Sequence, residues 1–209
     1  GFTGHLAFTT SPQYGLVTPV SRVVLEDLKV IGALSGTNYG VYATYAEKLT
    51  ICNVTFKDIN TCAIRASSSI EVTIDDVVVQ SSIKAVIIDG CTKVDVTRLN
   101  DEGYSSSARL QVGQSATGSG ESLLSQEVTI SGCKFNNYTG GGNAAVELLL
   151  YSRLVSVKNC TFNVGNQRSV HFYSLHSVSI EGCRSERASG DATYKGEMVA
   201  GITHTDWSI

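Results

Sequence analysis

An eight-residue phrase recurs seven times along the chain, and it constrains the fold more than any other feature. Apolar residues occupy its first, third and sixth positions, and in most copies the eighth; Asn, Asp or Gly usually occupies the fifth. Most copies begin 22 to 27 residues apart, starting at Val23, Leu49, Val72, Val94, Val128, Val155 and Val178. A repeat of this length is typical of a solenoid, in which each turn stacks on the previous one.

The positions within each phrase predict a strand, a corner and a second strand. The first and third residues are apolar with a polar residue between them, which indicates a strand with one buried face. The fifth residue is usually of a type that tolerates a positive φ angle, so the chain can turn sharply there. The hydrophobic pattern then resumes at the sixth position.

A third strand is predicted about eight residues before each phrase. The apolar-centred segments at these places are Val41-Tyr42-Ala43, Ile64-Arg65-Ala66, Val86-Ile87-Ile88, Val146-Glu147-Leu148 and Val170-His171-Phe172. Leucine-rich repeats have a similar period but usually return through a helix, whereas the returns here are rich in Ser, Thr, Asn and Val. We therefore predict an all-β, single-stranded right-handed parallel β-helix with three strands per turn and about seven to eight turns.

The repeat predicts one elongated domain. Residues 1–14 would lead into the solenoid, and residues 15–209 would form it around a continuous core. Val199 and Trp207-Ser208-Ile209 fit the start of a further turn, and no polar cap follows them. We expect a fragment of a longer polypeptide, or a chain whose last turn is covered by a partner in a homotrimer.

Composition excludes some classes of partner. Only 17% of the residues are charged and 42% are hydrophobic, so Ser, Thr, Asn and Gly must supply much of the outer surface. Such a surface suits hydroxylated ligands or other proteins. A formal net charge of −3 gives no reason to expect nucleic acid, and no apolar run is long enough to predict membrane insertion.

Three of the six cysteines occupy the same inward position of successive phrases. These are Cys133, Cys160 and Cys183, and the earlier phrases carry Leu28, Val54, Val77 and Leu99 there. A cysteine that replaces Val or Leu behaves as a small apolar residue, so we predict buried, reduced thiols. A column in an apolar core does not present convergent zinc ligands, and we expect no metal and no cofactor.

The phrase with its Asn, Asp or Gly corner resembles the pectate-lyase-like superfamily. The polar surface and abrupt end are similar to the β-helical shaft of a bacteriophage tailspike, and the resemblance covers about Leu16 to Ile209. It implies a homotrimer of the virion tail or the extracellular space that binds, and often cleaves, surface glycans. The catalytic motifs of the superfamily's enzymes do not carry over, since Asp75-Asp76 comes closest to a paired aspartate but lies at a corner.

Alternation along the strand before each phrase predicts which side chains point outward. The first outward column is expected to contain Tyr42, Arg65, Ile87, Arg109, Glu147 and His171. The next is expected to contain Thr44, Ser67, Asp89, Gln111 and Tyr173. Between Val112 and Val128, an insertion of roughly ten residues is expected to project beside this face.

These columns carry the chemistry of a possible glycan groove. Glu147 and His171, on adjacent turns, are the predicted catalytic pair. The predicted substrate-binding residues, with guanidinium groups for acidic sugars and tyrosine rings for stacking, are Tyr42, Arg65, Asp89, Arg109, Gln111 and Tyr173. The competing interpretation is that all of them are ordinary solvated cross-strand neighbours.

Three functions remain open from the sequence. The first is a tailspike-type receptor-binding segment that recognises, and possibly as a glycoside hydrolase or lyase depolymerises, a host's surface polysaccharide. The second is a non-catalytic structural shaft or adhesin module. The third is a secreted polysaccharide lyase, hydrolase or epimerase. Whether the protein is an enzyme therefore stays open.

Overall fold

The structure, a computed structural model, describes most of the 209 residues. The described ranges are 6–8, 20–32, 36, 38–103, 108–113, 125–138, 144–149, 152–164, 169–172, 175–187, 199–201 and 204–208. Within these ranges the chain forms parallel β-strands and no helix, so the predicted all-β parallel β-helix is confirmed. In the same ranges, no helix is long and apolar enough to cross a membrane.

The first sheet contains one strand from each turn. Its eight strands lie side by side in chain order, and every pair is parallel. They are β1 (Leu6–Phe8), β3 (Tyr39–Thr44), β5 (Cys62–Ser67), β7 (Lys84–Asp89), β10 (Leu110–Val112), β13 (Val146–Leu148), β16 (Val170–Phe172) and β19 (Val199–Gly201). Each predicted third strand, including Val41–Ala43 and Val170–Phe172, lies in this sheet.

The second sheet contains the two strands of every phrase. In the first turns both strands form one long element, and in later turns they separate. The elements are β2 (Val20–Ile31), β4 (Ala46–Lys57), β6 (Glu71–Gln80), β8 (Lys93–Thr97), β9 (Asn100–Asp101), β11 (Ser125–Ser131), β12 (Lys134–Tyr138), β14 (Ser152–Lys158), β15 (Thr161–Val164), β17 (Leu175–Glu181), β18 (Arg184–Arg187) and β20 (His204–Ser208).

Every fifth phrase position has a left-handed backbone, as predicted. The φ angles are 55° at Asp27, 52° at Asn53, 53° at Asp76, 50° at Arg98, 62° at Gly132, 52° at Asn159 and 60° at Gly182. Arg98 adopts this angle although its residue type rarely does. The corner is therefore imposed by the stacking of turns and not only by local preference.

Six further residues at the ends of strands also have a left-handed backbone, which the repeated phrase does not predict. Tyr45, Ser68, Gly90 and Gly113, which follow strands of the first sheet, have φ angles from 51° to 84°. Asp58 and Ser81, which follow β4 and β6 of the second sheet, both have a φ angle of 57°. Most of these residues are small or polar, but they belong to no repeated phrase.

Equivalent phrase positions lie directly above one another, and those of the inner turns form the core. Leu28, at the predicted inward position of the first phrase, is instead 43% exposed. Leu49 pairs in register with Val72, which pairs with Val94, and all three are buried. Phe135 and Phe162 stack with their ring centroids 5.4 Å apart. Burial of this continuous column of apolar side chains is the main stabilising contribution to the fold.

The predicted extent of the solenoid needs two corrections. The expected seven to eight turns is slightly high, because the solenoid has about five turns, with strands of partly described turns at either end. Leu6–Phe8, predicted to precede the solenoid, is a strand of the first sheet that pairs with Tyr39–Thr44. The segment Gly15-Leu16-Val17, whose apolar residues fit the strand before the first phrase, lies outside the described ranges.

The cysteine column is confirmed in its position, and all six cysteines are free thiols. Cys133 and Cys160 are buried as predicted, but the prediction is wrong for Cys183, which is only half-buried. The Cys160 thiol lies 3.3 Å from the Lys158 carbonyl and 3.7 Å from the Ile130 carbonyl of the previous turn. A hydrogen bond with Cys133 raises the pKa of the Cys160 thiol to about 12.

Candidate functional site

The outer face of the first sheet carries a continuous column of side chains that we call the outer column. Successive residues are register partners on neighbouring turns. From the first turn onward they are Tyr42, Arg65, Ile87, Gln111, Glu147 and His171. Because neighbouring strands lie about 4.8 Å apart, the outer column extends over about 24 Å.

The predicted place of Arg109 in this column is wrong, and Gln111 occupies it. Arg109 is completely buried. Its Nε lies 2.6 Å from Oδ2 of Asp101, and its Nη1 donates to the Ser82 carbonyl at 2.5 Å and to the Ile83 carbonyl. A guanidinium group so enclosed offers no surface for a sugar, so Arg109 is not part of the candidate site.

The burial of Arg109 follows from the residue at the eighth position of the fourth phrase. That residue is Asp101, which lies in register between Val79 and Phe135 in the core. A carboxylate in that position requires a partner, and Arg109 supplies it. Gly103 provides space for the Arg109 guanidinium group, because a Cβ atom at this position would clash with Nη2 of Arg109. The available sequence signal was an acidic residue at a phrase position that is apolar in five of the seven copies.

One end of the outer column is an aromatic and guanidinium cluster. The rings of Tyr39 and Tyr42 stack with centroids 5.2 Å apart and planes 23° apart. The Arg65 Cζ lies 5.5 Å from the Tyr42 centroid and 6.0 Å from that of Tyr39. Its Nη1 is also 3.4 Å from the Tyr39 hydroxyl. Cation–π attraction therefore fixes Arg65 against both rings.

The second outward column is confirmed on its first three turns, where Thr44, Ser67 and Asp89 are register partners. These side chains are much less accessible than expected for an outer face. Ser67 is 8% exposed and Asp89 is 7% exposed. Tyr173, predicted for the same column, lies outside the described residues.

The other end of the outer column holds the predicted acid–base pair. Glu147 and His171 are direct register partners on adjacent turns, as predicted. Glu147 is only 8% exposed and His171 only 5%. Burial raises the pKa of Glu147, and the positive charge of Lys84 partly opposes this increase. A raised pKa favours the protonated form of Glu147, which is the form in which a carboxyl group can donate a proton.

Lys84 is a member of the site that the sequence analysis missed. Its Nζ donates to Oε1 of Gln111 at 2.6 Å, and Nε2 of Gln111 donates to the Gly113 carbonyl at 3.1 Å. Lys84 precedes Val86 by two residues, so alternation assigns it to the inner face. Because Lys84 begins its strand, its long side chain reaches the outer column, a position that no periodic pattern indicates.

The site thus combines stacked rings, two cations, an amide, a buried carboxyl and an imidazole along one face. This set of groups can hold a hydroxylated chain through hydrogen bonds and ring contacts, and it can transfer a proton at Glu147. Among the described residues, no group of three or more His, Cys, Asp or Glu side chains could hold a metal ion.

The fold places the chain in the class of parallel β-solenoid proteins. No protein family model, no curated protein and no solved structure matches it.

Proposed function

We propose that the outer column binds a cell-surface polysaccharide and that the chain is a receptor-binding segment of the tailspike type, located in a virion tail or outside the cell. The observation that supports this proposal is the uninterrupted line from Tyr42 to His171 in register. A polymer needs a long binding surface with repeated polar contacts, and a face of about 24 Å has that form.

The proposal assigns two kinds of role along the column. Arg65 and Lys84 would bind acidic substituents, with Lys84 in the role first predicted for Arg109. Tyr42, Gln111 and Asp89 would contact rings and hydroxyl groups. Glu147 would be the catalytic acid or base, with His171 as its partner, if the polysaccharide is cleaved.

The test is a panel of bacterial capsular and O-antigen polysaccharides, with binding and the release of reducing ends or of unsaturated products measured together. We expect Glu147→Gln to abolish cleavage of a bound glycan while retaining binding, because it removes only proton transfer. Glu71→Gln, on the second sheet in an exposed pair with Lys48, is the matched control. Unchanged cleavage in Glu147→Gln, or no binding to any glycan of a panel that includes the host's own, would contradict the proposal.

A non-catalytic shaft or adhesin module is the second candidate. It is supported by the contacts of Arg65 with Tyr39 and Tyr42, since these side chains already pack against one another. In that case the outer column would pack against sister subunits in a homotrimer. Light scattering decides between the two: a trimer that dissociates in Tyr42→Glu supports the shaft, and a monomer that binds glycan contradicts it.

A further inference from the structure

Three buried polar atoms without a hydrogen-bond partner lie together on the outer face of β3 and β5. They are Oγ1 of Thr44, Nε of Arg65 and Oγ of Ser67. Thr44 and Ser67 are register partners on adjacent turns. Arg65 precedes Ser67 by two residues on the same strand, so both side chains point to the same face.

This concentration is unusual for a folded protein. Buried polar side-chain atoms normally have a partner, and each exception requires a physical explanation. Ser67 is more than nine-tenths buried, at 8% exposure. A group from another molecule that reached this patch would supply the partners that the three atoms lack.

The chemistry of the three atoms defines that group. Nε of Arg65 can only donate a hydrogen bond, and the two hydroxyls can donate. The complementary group must therefore accept several hydrogen bonds, and the guanidinium charge favours an anion over a neutral acceptor and excludes a cation. The Tyr42 ring, 5.5 Å from Arg65 Cζ, holds the guanidinium group in place.

Asp89 adds a second requirement. It is the register partner of Ser67 on the next turn, and as a carboxylate it only accepts hydrogen bonds. Because Asp89 repels a second negative charge, a ligand that extends past Ser67 must present a neutral polar group, such as a hydroxyl, on that side. The patch therefore suits an oxyanion carried by a hydroxylated molecule.

We propose that Thr44, Arg65 and Ser67 form an oxyanion subsite that takes a carboxylate, phosphate or sulfate substituent of a hydroxylated ligand. This inference rests on the proposed function, because it names the substituent by which the glycan is held at the Tyr42 end of the outer column. The subsite is distinct from Glu147 and His171, which lie three and four turns away.

The first test uses the intact chain and inorganic phosphate, sulfate and acetate, with chloride at equal ionic strength as the reference. We expect the Nε–Hε resonance of Arg65 to shift saturably with at least one of the three anions and not with chloride. We also expect that anion to raise the melting temperature, with the increase reduced at least fivefold in Arg65→Gln and reduced in Ser67→Ala. Arg153→Gln, an exposed arginine on β14, is the control and should keep the full increase.

An unshifted Arg65 resonance, or an equal increase in wild type and Arg65→Gln, would mean an adventitious ion only and would overturn the subsite. The resonance requires no variant, so the test stands even if Arg65→Gln fails to fold. Glycans compared with their carboxyl-reduced, dephosphorylated or desulfated forms then identify the anion. Glycan binding that is unaffected in Arg65→Gln and Ser67→Ala would refute the subsite and leave the proposed function. Anion binding without any glycan binding would support the subsite and contradict the proposed function.

Discussion

Arg109 and Asp101 form a bidentate ion pair in which neither side chain reaches solvent. Nε of Arg109 lies 2.6 Å from Oδ2 of Asp101, and Nη2 lies 2.7 Å from Oδ1. Burial raises the pKa of Asp101, and the neighbouring Arg109 acts in the opposite direction. The pair replaces an apolar contact in the core, because Val79 and Phe135 occupy the equivalent positions on neighbouring turns.

Arg109→Met is expected to lower the free energy of unfolding by about 3 to 5 kcal/mol, because it leaves the Asp101 carboxyl buried without its partner. Urea denaturation measures the change. Arg98→Ala is the control: its pair with Asp75 lies at the surface, with the Arg98 side chain 63% exposed, so a loss of about 0 to 1 kcal/mol is expected. The double variant Arg109→Met with Asp101→Val should recover much of the stability. Equal losses in Arg109→Met and Arg98→Ala would contradict this account.

Gly182→Ala is expected to destabilise the protein more than Gly132→Ala. Both glycines have a left-handed backbone, with φ angles of 60° and 62°, so both substitutions should cost about 1 to 2 kcal/mol. A Cβ atom at Gly182 would also lie 2.4 Å from Oδ1 of Asn159, whereas at Gly132 it would meet nothing within 4 Å. Melting temperatures compare the two directly. The difference should shrink in an Asn159→Gly background, and its persistence there would exclude Asn159 as its cause.

Glu147→Gln is expected to stabilise the protein at neutral pH and to change little at acidic pH. Burial raises the pKa of Glu147 in the folded state. The folded chain therefore holds this proton more tightly than the unfolded chain, whose pKa is about 4.3. The stabilisation that comes from this tighter proton binding is fully present at a pH below about 4.3. It is lost as the pH rises through the pKa of Glu147 in the folded state. Unfolding free energies of both proteins from pH 4 to 7 measure this, and a parallel pH dependence would contradict it.

Cys52 is expected to react with thiol reagents in the native state before the buried cysteines do. It lies on the outer face of the second sheet between its register partners Glu26 and Asp75. Partial desolvation and the charge of Asp75 raise the pKa of Cys52, so labelling should accelerate with pH and in Asp75→Asn. Burial raises the pKa of Cys62 to about 12, so Cys62 should remain unlabelled. Mass spectrometry locates the label, and Asp95→Asn is the control.

The repeated phrase was sufficient to predict the strands and the seven corners because alternation and the corner residue recur at fixed positions in every phrase. It predicted the column through Tyr42, Arg65, Glu147 and His171 for the same reason. It failed at Arg109, where alternation alone could not decide whether Arg109 or Gln111 is the partner of Ile87. That choice depends on the register of neighbouring turns, and the strand begins only at Leu110.

The burial of outward-facing residues could not be predicted from the sequence, for a different reason. Alternation states which face a side chain occupies but not what packs over that face. Ser67, Asp89 and Glu147 are all on the predicted face and are all nearly inaccessible. Lys84 reaches the same face although alternation assigns its position to the inner face. A long side chain at the start of a strand is not confined by the pleat.

The corners at Asn53, Asp76 and Arg98 repeat the same left-handed angle, with φ values of 52°, 53° and 50°, and each turn pairs in register with the next. Equivalent positions consequently recur along the axis of the solenoid about every 4.8 Å. Any molecule that repeats at a multiple of this distance can meet equivalent positions on several turns. Loss or duplication of one whole turn would shorten or lengthen the solenoid by about 4.8 Å and would leave the spacing between the other turns unchanged.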